Sequence, residues 1–139
     1  MKDQESLCVQ KYTKYENSAK DPELKSLFCT LKTAEEQHLT ALNNLLCGNL
    51  DSCCCQSQDA SNYNPQATYT GSFNVCDKQN DEFLCTDAIT TEKYVSSAYN
   101  FDLFQFGNTK IRKLLNDIQT EEQNHAEKLF IYKTINLMT

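Results

Sequence analysis

The chain has 139 residues, enough for one domain. Its 19 acidic and 13 basic side chains give a formal net charge of -6, which argues against the clustered Lys and Arg of a nucleic-acid surface. Apolar runs of only a few residues exclude a membrane-spanning helix, which needs about 20, and three Gly with two Pro are too few for an all-β sandwich or a Gly-rich phosphate loop.

The polar start, Met1-Lys2-Asp3-Gln4-Glu5, shows no secretory signal. Helical periodicity runs over 3–20 and stops at Asp21-Pro22, where Asp reads as an N-cap and Pro as the first helical residue. A second segment runs over 22–47 and closes at Gly48. Residues 48–82 are rich in Asn, Ser, Gln, Asp and Cys and poor in aliphatics, so an irregular crossover is expected there. The third and fourth segments run over 83–106 and 109–137, separated by Gly107-Asn108. The short breaks make two antiparallel helical hairpins, 3–47 and 83–137. The expected fold is therefore all-α, a single ferritin-like four-helix bundle over 1–139 whose hairpins are joined by one long crossover.

The hairpins match each other, without a gap, at a shift of 87 residues. Glu5 falls on Glu92, Tyr12 on Tyr99, Leu24 on Ile111, Leu31 on Ile118, Glu35 on Glu122, His38 on His125 and Leu42 on Leu129. Duplication of one hairpin is the simplest account.

The apolar stripe of the second segment reads Leu24, Phe28, Leu31, Glu35, His38, Leu42, Leu45. That of the fourth reads Ile111, Leu115, Ile118, Glu122, His125, Leu129, Tyr132. The first and third segments carry one inward acid each, Glu5 and Glu92. Six ionisable side chains thus occupy positions where Leu or Ile belongs. Burying unpaired carboxylates costs several kcal/mol apiece. Two divalent cations would neutralise the four carboxylates, and mixed carboxylate and imidazole ligation suits iron or manganese ahead of zinc. A Glu from each of two helices with a Glu-x-x-His from each of the others is the ligand set of dinuclear carboxylate bundles. Without metal, crowding and burial are expected to raise the pKa of all four acids.

Competing readings exist for each position. Glu5 and Glu92 also suit the first turn of a helix, where the dipole favours acids. A one-residue error of phase would put Glu35 and Glu122 on a solvated face, in place of Glu36 and Glu121, which are read as their outward neighbours. His38 and His125 could be hydrogen-bonded core histidines. Tyr12 and Tyr99 read as core packing, with support of a ligand as the alternative. Glu16 and Asp102 lie at the wrong level and read as exposed. Cys8 and Cys85 read as small buried groups. Adjacent Cys53, Cys54 and Cys55 suit soft metal or intermolecular disulfides, without zinc-site spacing.

Lys2-Asp3-Gln4-Glu5, Lys11-Tyr12, Glu35-Glu36-Gln37-His38, Thr91-Glu92-Lys93-Tyr94-Val95-Ser96-Ser97 and Ile118-Gln119-Thr120-Glu121-Glu122-Gln123-Asn124-His125 together resemble the coat F family. These are ferritin-like spore coat proteins of endospore-forming, particularly clostridial, bacteria. The resemblance is most specific from Asp87 to Tyr132. It departs from the family pattern at Gln105, where an acid is expected, and at the ending Asn136-Leu137-Met138-Thr139. It implies a place in or beneath the spore coat, assembled with other coat proteins or with copies of itself, and no nucleic-acid or membrane partner. The alternative function is an oxidase or peroxidase of the rubrerythrin type, working through a dinuclear iron centre.

Overall fold

The computed structural model describes residues 1–49 and 60–138. It holds four long helices: α1 (Lys2–Ser18), α2 (Pro22–Leu46), α3 (Val75–Leu103) and α4 (Thr109–Ile135), with a short 3-10 turn at Ala60–Asn62. Among the described residues there is no strand. α1 packs closely on α2 and α3 on α4, so the fold is a four-helix bundle made of two hairpins. Cys53, Cys54 and Cys55 lie outside the described residues.

Local chemistry sets the helix ends. The Asp21 carboxylate accepts from the Glu23 N–H at 3.1 Å with Pro22 opening α2, and the Asn108 side chain accepts from Lys110 N–H at 2.8 Å. At the end of α2, Gly48 takes φ +80°, a conformation glycine adopts without a Cβ clash. The end of α4 uses a non-glycine residue for the same turn: Leu137 has φ 55°, and the Met138 N–H reaches back to Lys133 O at 2.9 Å.

The third helix departs from the expected bounds. It begins at Val75, eight residues before the sequence periodicity does, so 75–82 belong to α3 and not to the crossover. Asn74 caps it, accepting from the Asp77 N–H at 3.2 Å. The buried position of this first stretch is Asp81, not an aliphatic, so no apolar stripe announces it. Asp81 is fully buried and accepts from the Lys20 N–H (2.8 Å), the Asp21 N–H (2.9 Å), Asn80 Nδ2 (3.0 Å) and the Tyr69 hydroxyl. One carboxylate thereby ties the α1–α2 turn, α3 and the crossover together. The Asn136 side chain completes the docking by accepting from the Thr68 and Tyr69 N–H groups, each at 2.8 Å.

The buried apolar side chains fall into two clusters. One gathers Leu24, Phe28 and Leu31 with Leu129 and Tyr132; the other gathers Ala41 and Leu42 with Leu114, Leu115 and Ile118. On both α2 and α4, the Glu and His of the stripe lie between the residues of the two clusters. The bundle therefore carries a polar layer across a core that is apolar on either side.

Candidate metal centre

All six inward ionisable side chains are buried: Glu5, Glu35, His38 and Glu122 are fully so, and Glu92 and His125 are 1% and 5% exposed. Their phase on the helices is therefore the one the stripes indicate, and the solvated-face reading of Glu35 and Glu122 does not hold. Outside this layer, Glu16 and Asp102 are half-buried where exposure was expected. Glu16 is held by Lys32 at 2.8 Å, because an acid close to a neighbouring helix finds a cation there.

The six residues converge as two groups of four. Glu5, Glu35, His38 and Glu122 bring one ligand atom each within 4.8 Å of one another, and so do Glu35, Glu92, Glu122 and His125. Glu35 and Glu122 belong to both groups. Their counterparts are private: Glu5 and His38 serve one position, Glu92 and His125 the other. The Glu35 carboxylate already divides this way, with Oε1 at 3.0 Å from His125 Nδ1 and Oε2 at 3.2 Å from His38 Nδ1. The imidazole rings stack with centroids 5.8 Å apart and planes 15° from parallel.

Hydrogen bonding leaves part of the layer unsatisfied. Glu5 Oε2, Glu92 Oε2 and both oxygens of Glu122 are buried without a hydrogen-bond partner. Most buried polar groups are paired, and an orphaned carboxylate oxygen calls for a water or an ion as partner. Four such oxygens in one buried layer fit the coordination needs of hard or borderline divalent cations.

Two residues that the sequence reads as core packing, with support of a ligand as the alternative, support this layer. The Tyr12 hydroxyl donates to Glu92 Oε1, and the Tyr99 hydroxyl donates to Glu5 Oε1 at 2.5 Å. Each tyrosine reaches from its own hairpin to the private glutamate of the other. Tyr12 and Tyr99 are thus more than core packing: they fix the rotamers of two carboxylates. A third residue corrects the sequence reading outright. Glu121, taken as an outward neighbour, is 8% exposed and accepts from His38 Nε2. The wide inward face of α4 explains it: Glu121 and Glu122 both lie on the side turned to the core. Glu36, by contrast, is exposed.

Charge in the layer is shared between acids and imidazoles. Burial, joined by the neighbouring Glu92 charge, pushes the Glu35 carboxyl up to about 8 against the downward pull of both histidines. Burial pushes Glu5 the same way, but its bonds with His38 and Glu35 and the His38 charge prevail, and its pKa is lowered. The expectation that all four acids rise together therefore fails at Glu5, because it left the histidines out of the balance. Burial disfavours the imidazolium of His38, yet Glu121, Glu35 and Glu5 outweigh it and raise its pKa far above the ordinary value. Burial also opposes His125, and Glu92 and Glu35 raise it to about 9. Burial first, and then the nearby acids, keep Tyr12, Tyr99 and Cys8 in their neutral forms.

The Coat F domain matches residues 80–133. The match falls in the second hairpin, where the sequence resemblance is most specific. The match spans most of α3 and nearly all of α4, and so contains Glu92, Glu122 and His125 together with Glu121. The first hairpin, with Glu5, Glu35 and His38, lies outside the match and shares the pattern of the second at a shift of 87 residues. No curated protein and no solved structure matches the chain. Among the described residues, no helix is long and apolar enough to cross a membrane.

Proposed function

We propose that this protein is a spore coat component whose ferritin-like bundle holds two divalent metal ions, iron or manganese ahead of zinc. The single observation that carries the metal reading is the pair of four-residue groups sharing Glu35 and Glu122, with both buried Glu122 oxygens lacking a hydrogen bond. Glu35 and Glu122, which belong to both groups, would help to hold both ions. Glu5 and His38 would complete one position, and Glu92 and His125 the other. Four carboxylates balance two divalent charges, and the histidines bind as neutral imidazoles. Bound ions of this kind supply Lewis acidity and, for iron or manganese, electrons. The chain's own residues hold the site together: Tyr12 and Tyr99 orient the private carboxylates, and the apolar clusters on either side keep water out.

The coat reading rests on the Coat F domain. It is supported by the outer face of that hairpin, where Phe83, Tyr94, Phe101, Phe104 and Phe130 are each 64% to 77% exposed. Aromatic area of this extent is available for burial against other coat components or further copies of the chain.

One observation favours the second reading, a redox enzyme of the rubrerythrin type. A groove of about 270 Å³ lies between α1 and α3, lined by Gln4, Cys8, Thr91 and Val95 among others. Gln4 and Thr91 are the chain neighbours of Glu5 and Glu92, so a small oxidant entering here would come close to the ions. The test is metal analysis of freshly purified protein with its optical spectrum before and after peroxide. Two ions per chain and an unchanged spectrum support the coat reading; two iron ions and a peroxide-dependent change support the enzyme. Protein that takes up no metal overturns the metal site and the enzyme reading, and leaves the coat reading as that of a metal-free scaffold.

A further inference from the structure

The duplication that built the site is broken at one position next to it. Every ligand has its counterpart 87 residues away, as have the two supporting tyrosines. Glu121 does not: its counterpart is Ala34. The two histidines consequently have different surroundings. His38 turns Nδ1 toward Glu35 (3.2 Å), Glu122 (3.3 Å) and Glu5 (3.7 Å), while its far nitrogen, Nε2, donates to Glu121. His125 turns Nδ1 toward Glu35 (3.0 Å), Glu92 (3.3 Å) and Glu122 (3.9 Å). Among the described residues, no carboxylate pairs with its Nε2. The half-buried methyl group of Ala34 offers no acceptor.

We infer that Glu121 makes the two metal positions unequal, so that the position served by His38 and Glu5 fills first and more tightly than the one served by His125 and Glu92. This rests on the metal-site reading above. A carboxylate on the far nitrogen of a ligating histidine fixes the tautomer that presents a lone pair on the near nitrogen. It also holds the ring in plane and makes it a stronger donor. Loss of such a partner typically costs 10- to 100-fold in metal affinity. Glu121 touches no ion in this arrangement; it is a positioning residue acting through His38. The bundle's near-symmetric ligand set therefore loads in two steps, an asymmetry that four identical inward glutamates and two histidines would not show.

The experiment is a titration of the metal-free full chain with Co²⁺ at fixed pH, followed by the visible bands of the bound ion. Wild type should show two steps separated by about tenfold or more. Glu121→Gln keeps the size of the side chain and removes its charge. It should weaken the tighter step by about tenfold and leave the weaker one in place, closing the gap. Ala34→Glu, which leaves Glu121 untouched, should close the gap from the other side by tightening the weaker step. Two equal steps in wild type, a Gln variant that weakens both steps alike, or an unchanged gap in the Ala34→Glu protein would each overturn the inference while leaving the metal site standing. No cobalt uptake by wild type would remove the site and the inference together.

Discussion

Replacing His38 or His125 with alanine lowers divalent-metal affinity by roughly tenfold or more, and replacing both abolishes binding of the second ion and cripples the first. The figure is a lower bound, because even a residue that only supports a ligand is worth 10- to 100-fold. In the proposed site each histidine would be the one neutral donor of its position, and each is buried among three carboxylates of the layer. Without it, an ion would keep only oxygen ligands, which suit manganese better than the later metals of the series. Removal of His38 should cost more than removal of His125, since His38 is the one held by Glu121. Competition against a chelating dye measures both. Equal uptake by wild type and the double variant would show that the carboxylates and imidazoles merely satisfy one another.

The second large effect is on stability against pH. In the metal-free protein, Glu35 holds its proton up to about pH 8, whereas the unfolded chain releases it near 4.5. His125 holds its own to about 9 against an ordinary 6.5, and His38 holds its proton further still. Between roughly pH 5 and 9 the folded state therefore binds more protons than the unfolded one, and stability falls as pH rises. Glu5 acts in the opposite sense, but a lowered carboxyl pKa exerts its effect below 4.5, outside this window. Bound metal reverses the trend, because its ligands must be deprotonated and binding expels those protons. Thermal midpoints of metal-free and loaded protein should therefore diverge as pH climbs from 5 to 9. Parallel curves would mean that these protons are not displaced by metal.

The bundle and six of its inward polar residues were legible in the sequence because helical periodicity and duplication reported the same positions twice. A Glu on the apolar stripe is conspicuous against Leu31 and Leu42; the same Glu beside another Glu is not. Glu121 was passed over for that reason: adjacent acids compete for one inward position in a two-dimensional wheel, and only packing reveals that α4 buries both. The first turns of α3 escaped for a related reason, since their inward residue is Asp81, two of whose partners are backbone N–H groups 61 and 60 residues away in the chain. Tyr12 and Tyr99 read as core because their rings are core; the reach of each hydroxyl into the opposite hairpin depends on how the hairpins are docked. Spacing likewise carried no information on which acids are shared, as Glu35 and Glu122 become common to both groups only when the helices face one another.

The most direct test is an anomalous-difference map, recorded at the iron or manganese edge, from crystals of protein loaded with that metal. Two peaks should lie in the polar layer, both between Glu35 and Glu122, one beside Glu5 and His38 and the other beside Glu92 and His125. A layer without peaks, its six side chains paired with water and with one another, would contradict the account.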